Sequence, residues 1–115
     1  MSLQPVPIQN VPGVPDYTCT AFLPKSSDYC LLIPVINEGS RILTELGRAQ
    51  KAGVDRLVDI VICDGGSTDG SMNPDTLELY GVNTLLVKTG PGKQGAQLRM
   101  GLHFALTLGY KGVLT

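Results

Sequence analysis

Short apolar runs alternating with helical patterns constrain this chain more than any other feature. Cys30-Leu31-Leu32-Ile33, the stretch 57–63 and the stretch 84–87 are too brief for helices and are bounded by turn formers, which makes each a buried strand. Ile42, Leu46 and Ala49 then recur at helical spacing with Leu43 beside them, a short helix is expected over 76–80, and a longer one over 92–108 carries Leu98, Leu102 and Ala105 on its inner face. Pro34 closes the first strand, Asn37 or Ser40 caps the helix after it, Gly53 suits the left-handed position beyond that helix, and Gly109 stops the last one. Residues 113–115 begin a fourth strand. Strands alternating with helices build an α/β fold, here a Rossmann-like parallel sheet with flanking helices, and such a sheet needs both faces covered and its edges protected.

A chain of 115 residues, 43% hydrophobic and 17% charged, supports one core. Five of its eight prolines fall at 5, 7, 12, 15 and 24, where they deny the backbone helix geometry and ladder donors. Residues 1–27 therefore read as a proline-rich extended arm and 28–115 as the domain. The arm also carries Val6, Ile8, Val11, Val14, Tyr17 and Phe22, so it either packs along the domain or a partner, or is a disordered leader. A balance of 9 basic against 10 acidic residues gives a net charge of −1, which leaves no broad cationic surface for nucleic acid. Three cysteines cannot all pair within one chain, and two lie in apolar runs, which points to a reducing compartment such as the cytoplasm.

Three stretches carry chemistry. The first is Ile33-Pro34-Val35-Ile36-Asn37-Glu38, a strand end followed by an amide and a carboxylate. Glu38 either accepts hydrogen bonds from a base or ribose or is a first-turn acid set against the helix dipole; taken alone, the second reading is the stronger. The second is Ile60-Val61-Ile62-Cys63-Asp64-Gly65-Gly66-Ser67-Thr68-Asp69-Gly70. Asp64 falls at the carboxyl end of a strand, where α/β sheets bind ligands, and an apolar strand gains nothing from an unpaired carboxylate there. Gly65 and Gly66 allow close backbone approach, whereas Asp69 reads as turn chemistry. The third, Gly90-Pro91-Gly92-Lys93-Gln94-Gly95, follows a strand and opens a helix. Lys93 and Arg99 either reach phosphate oxygens at that helix N-terminus or are solvated surface bases. His103 is mid-helix without a ligand partner in spacing and reads as structural, and no metal cluster or nucleophilic triad can be assembled.

In this order and spacing the three stretches resemble the nucleotide-binding half of family 2 glycosyltransferases with the GT-A fold, closest to dolichyl- and polyprenyl-phosphate sugar synthases. The resembling residues run from Ile33 to Glu38, from Val61 to Gly70, and from Gly92 through Arg99, Gly101 and Ala105, within residues 29–115. The resemblance implies that Pro34, Ile36 and Glu38 line the site for base and ribose, that Asp64 hydrogen-bonds the base beside Gly66, and that Lys93 with Arg99 flanks the sugar or diphosphate. It implies a nucleotide-diphosphate sugar as donor, a polyprenyl phosphate as a candidate acceptor, a cytoplasmic place peripheral to a membrane, and Mg2+ or Mn2+ in the full-length family. Many members carry two acidic residues where this chain has Asp64-Gly65, and an aromatic where it has Ile36. The family's Asp-x-Asp metal motif would follow the strand starting at Val113 and is not among these residues, nor is the catalytic base. The chain is accordingly expected to be an inactive fragment on its own, binding donor weakly, with a second copy as a candidate cover for the sheet edge.

Two other classes compete. A non-catalytic nucleotide-binding module with a truncated GT-A fold would keep the donor pocket without transfer. A dinucleotide-dependent oxidoreductase would use Gly90, Gly92 and Gly95, but its fingerprint requires an acidic residue further on and none follows Glu78.

Overall fold

A computed structural model describes residues 2–4, 13–91 and 94–115. The elements are β1 (Ser2–Gln4), β2 (Tyr17–Ala21), β3 (Tyr29–Val35), α1 (Arg41–Lys51), α2 (Val54–Leu57), β4 (Asp59–Asp64), α3 (Pro74–Leu79), β5 (Thr84–Lys88), α4 (Gln94–Leu108) and β6 (Gly112–Leu114). The strands form one sheet in the order β1-β2-β5-β4-β3-β6, in which β5, β4, β3 and β6 are parallel, β2 pairs antiparallel with β5, and β1 pairs antiparallel with β2. This is the expected α/β sheet with flanking helices. The chain steps outward from β3 to β4 to β5, and α4 then carries it back to β6 on the far side of β3, so strand order reverses between β3 and β6.

Alternating side chains feed two cores. Val61 and Cys63 of β4 join Leu32, Leu86, Met100, Phe104 and Ala105 on the α4 face. Ile60 and Ile62 join Val35, Ile42, Leu46, Leu77 and Val82 on the face covered by α1 and α3. All six residues of β4 are buried, as a central strand flanked on both edges and both faces must be.

Tyr17–Ala21, placed in the arm by the sequence, is a strand paired antiparallel with β5, from Tyr17 opposite Lys88 to Ala21 opposite Thr84. Tyr17 and Cys19 enter one core and Phe22 the other, so the core runs through the boundary drawn at residue 27. The prolines at 15 and 24 flank this segment without interrupting it, and its ladder keeps every donor. The part of the arm over 5–12 lies outside the described residues.

Other boundaries move for local reasons. β3 does not stop at Pro34 but continues to Val35. The Gly65 amide donates to the Val35 carbonyl at 2.8 Å, so Val35 faces β4 and Pro34, one residue earlier, turns its missing donor toward β6, whose ladder has already ended at Leu31 opposite Leu114. β4 starts at Asp59 because the short α2 occupies 54–57, beginning after Gly53, whose φ of +78° is the left-handed turn expected there. α3 starts at Pro74, earlier than expected, where the Asn73 side chain accepts from the Asp75 and Thr76 amides. On α4 the inner face is Ala96, Gln97, Met100, Phe104 and Ala105, whereas Leu102 is 42% exposed.

A buried carboxylate holds the opposite end of the sheet. Asp59 is fully enclosed and accepts from the Ser26 amide at 2.9 Å, the Ser26 hydroxyl at 2.8 Å and the Tyr110 hydroxyl at 2.6 Å. It thereby joins the segment after β2 to the exit of α4. Burial, and then this bond to Asp59, raises the Tyr110 hydroxyl well above its usual range.

Candidate functional site

The carboxyl ends of β3 and β4 are laced into one surface by their loops. The Asn37 amide donates to Ser67 Oγ at 2.9 Å, and the Thr68 amide donates to Asn37 Oδ1 at 2.8 Å. Beyond them the Gly39 and Ser71 amides each donate to Asp69 at 3.0 Å. Asn37 makes its two bonds from a left-handed backbone, φ +47°, which an asparagine side chain tolerates better than most. Asp69 is the turn residue the sequence predicts, and it also ties the loops together; Ser71 and Gly39 beside it hold its carboxyl below the ordinary range.

Asp64 sits in the middle of this lacing and is 2% exposed. Its carboxylate is not unpaired: the Ser67 hydroxyl donates to Oδ1 at 2.6 Å and the Ser67 amide lies 3.1 and 3.2 Å from the two oxygens. The unpaired carboxylate expected from the sequence is therefore not found at this strand end, because a serine three residues on satisfies it. Only the longer amide contact reaches Oδ2, so acceptor capacity remains on that oxygen. Gly66, at φ +104°, makes the turn that brings Ser67 back onto Asp64.

The structure brings Pro34, Ile36, Glu38, Asp64 and Gly66 to adjoining strand ends. Pro34 is half-buried within β3 and Ile36 is 52% exposed beyond it. Glu38 is not a first-turn acid, since α1 begins three residues later; its carboxylate is forked by Arg41 through Nε at 2.9 Å and through Nη2. Arg99 turns away from these ends, donating from Nε to the Gly13 carbonyl and lining an open pocket of about 330 Å³ with Val14, Pro15, Asp16 and Pro91. A second open pocket of about 270 Å³ lies beside the laced loops between Ser40, Leu43, Asp69 and Thr76, and neither pocket is lined by Asp64. Lys93 lies outside the described residues.

Two residues at this edge were not anticipated. Lys88 ends β5 as a half-buried cation and donates to the Gly90 carbonyl at 2.7 Å. Gln97, in the first turns of α4 and 4% exposed, donates from Nε2 to the Val35 carbonyl at 2.9 Å and the Cys63 carbonyl at 3.0 Å. The signal for Gln97 was present as a polar residue on an otherwise apolar inner face.

Among the described residues no three acidic, histidine or cysteine side chains converge as a metal set, and Asp64 is engaged by Ser67. Cys19, Cys30 and Cys63 are free, buried thiols, the first two pushed up to about 11 and Cys63 to about 12, with burial the main cause. His103 Nδ1 lies 3.0 Å from the Tyr17 hydroxyl, a tie between α4 and β2. Among the described residues no helix is long and apolar enough to cross a membrane. Compared with protein-family models, with curated proteins and with solved structures, the chain matches none.

Proposed function

We propose that this chain is the nucleotide-sugar-binding portion of a family 2-like glycosyltransferase, forming the N-terminal half of a GT-A fold and acting in the cytoplasm at the periphery of a membrane. One observation carries the reading: the strand ends and loops bearing Pro34, Ile36, Glu38, Asp64 and Gly66 are laced together next to the reversal of strand order between β3 and β6, where open α/β sheets take ligands. The N-terminal turn of the 15-residue helix α4 reaches the same edge, since Gln97 bonds both strand ends there. A helix start of that kind favours an anionic diphosphate.

In this reading the base and ribose lie along Pro34, Ile36 and Glu38, with Asp64 Oδ2 accepting from the base. The diphosphate lies toward the start of α4, with Lys88 on the adjoining strand end. Arg99 reaches it only by releasing the Gly13 carbonyl. The acceptor would be a polyprenyl phosphate, engaged by residues other than these.

The test is calorimetric titration of the chain with UDP- and GDP-sugars, with and without manganese, alongside Asp64→Asn. Saturable binding by one nucleotide, weakened about 10-fold or more by the substitution, is expected for loss of a bond to a charged acceptor. Binding of neither nucleotide, or equal affinity in Asp64→Asn, would refute the reading. Donor binding with no transfer by a full-length protein containing this chain would instead favour the non-catalytic module.

A further inference from the structure

Gln97 does more than satisfy itself. Val35 is the last residue of β3, Cys63 immediately precedes Asp64 in β4, and both are buried. One side-chain amide on α4 closes the seam between the two strands where their ladder ends, and the Gly65 amide shares the Val35 carbonyl from the other side at 2.8 Å.

The amide also fills the side-chain space of Gly65. A side-chain carbon added at Gly65 would lie 2.9 Å from Gln97 Cδ and 3.1 Å from both Nε2 and Oε1. The planar amide cannot retreat without dropping its carbonyls. One turn further along, α4 is pressed equally close to the sheet: a carbon added at Gly101 would lie 2.7 Å from Cys63 Sγ and 3.0 Å from Leu32 Cδ1. Two close approaches, four residues apart on one helix, clamp α4 onto β3 and β4 directly beneath the Asp64 turn.

We infer that Gln97 is a positioning residue, a latch that sets the gap between the carboxyl ends of β3 and β4 and so seats Asp64, and that position 65 is bare because the latch fills its side-chain space. The ligand consequence rests on the nucleotide reading above: the latch couples the helix start facing the diphosphate to the carboxylate facing the base. The latch itself belongs to the free protein.

The experiment compares Gln97→Ala, Gly65→Ala and the double variant, with Gln97→Met as a volume-preserving alternative should the alanine variant fold poorly. Amide hydrogen exchange of Ser67, which reports its bond to Asp64, is measured in the ligand-free protein relative to Ile62 in the middle of β4. Each single variant should accelerate Ser67 about 10-fold over Ile62, the order of one net hydrogen bond. The double variant should add little, because Gly65→Ala acts only by displacing Gln97. Nucleotide affinity should fall in the same proportion among molecules that remain folded, which a purely structural loss would not produce. Unchanged relative exchange of Ser67, or fully additive effects in the double variant, would overturn the latch. If the parent binds neither UDP- nor GDP-sugar, the proposed function fails while the exchange comparison still decides the latch.

Discussion

Tyr110→Phe deletes one oxygen from the buried contact at the amino-terminal end of the sheet and changes little else. That oxygen donates to Asp59 Oδ2 at 2.6 Å, a short bond of the kind made to a charged acceptor. Hydrogen bonds to charged groups contribute about 1.5–3 kcal/mol net. After the substitution Asp59 still holds the Ser26 amide and hydroxyl, so the carboxylate is not stranded and the cost falls within that range, at about 2 kcal/mol. For a domain of this size that corresponds to a Tm lower by roughly 8 °C. Urea denaturation followed by circular dichroism at pH 7 should show a lower midpoint at unchanged slope. In an Asp59→Asn background the same substitution should cost less than about 1 kcal/mol, because the charged acceptor is gone. A Tyr110→Phe protein within about 0.5 kcal/mol of the parent, or a cost undiminished by Asp59→Asn, would refute the reasoning.

The three thiols hold their protons above the unfolded value of 9.0, so their contribution is whole below pH 9 and is lost as the pH climbs toward 11 to 12. The urea midpoint should therefore decline above pH 9, and a thiol reagent at pH 8 should label Cys19, Cys30 and Cys63 only as fast as the protein unfolds; labelling at free-thiol rates would contradict their burial. Gly66→Ala forces a side chain onto a backbone at φ +104°, with only the Lys88 carbonyl nearby at 3.6 Å, so its cost of about 1–2 kcal/mol should be conformational and visible as a lower denaturant midpoint.

The parallel strands were legible because β-branched runs between turn formers leave few alternatives, and Gly53 punctuated α1 as its lack of a side chain permits. The convergence of Pro34, Glu38 and Asp64 on one edge followed from strand polarity alone. What stayed hidden depended on partners distant in sequence. Tyr17–Ala21 has the alternation of a strand, but neighbouring prolines masked it, and nothing local reveals that β5 receives it. Asp59 lay inside an apolar run with no sign that Ser26 and Tyr110 would meet it. Gln97 required knowing that α4 crosses the seam between β3 and β4. Leu102 was misplaced because the inner face of α4 is centred on Met100, Gly101 and Phe104, so the helical spacing was right and its phase was not.

Strand β2 has a consequence for how the chain is made. Its partner in the body of the sheet lies more than half the length of the chain away, Tyr17 pairing with Lys88 and Ala21 with Thr84, so Tyr17, Cys19 and Phe22 leave the ribosome well before β5 exists to receive them. The parallel unit β3-β4-β5 and its helices can collapse first, and β2 docks last onto the finished edge of β5. Until then the edge of β2 that β5 covers has only β1 on its other side, and Pro15 and Pro24 at either end limit how far that edge can pair with another nascent copy. The prolines that disguise this strand in the sequence also bound its pairing length, and docking of β2 onto β5 is the expected point at which folding and aggregation compete, read as a refolding yield that falls with protein concentration.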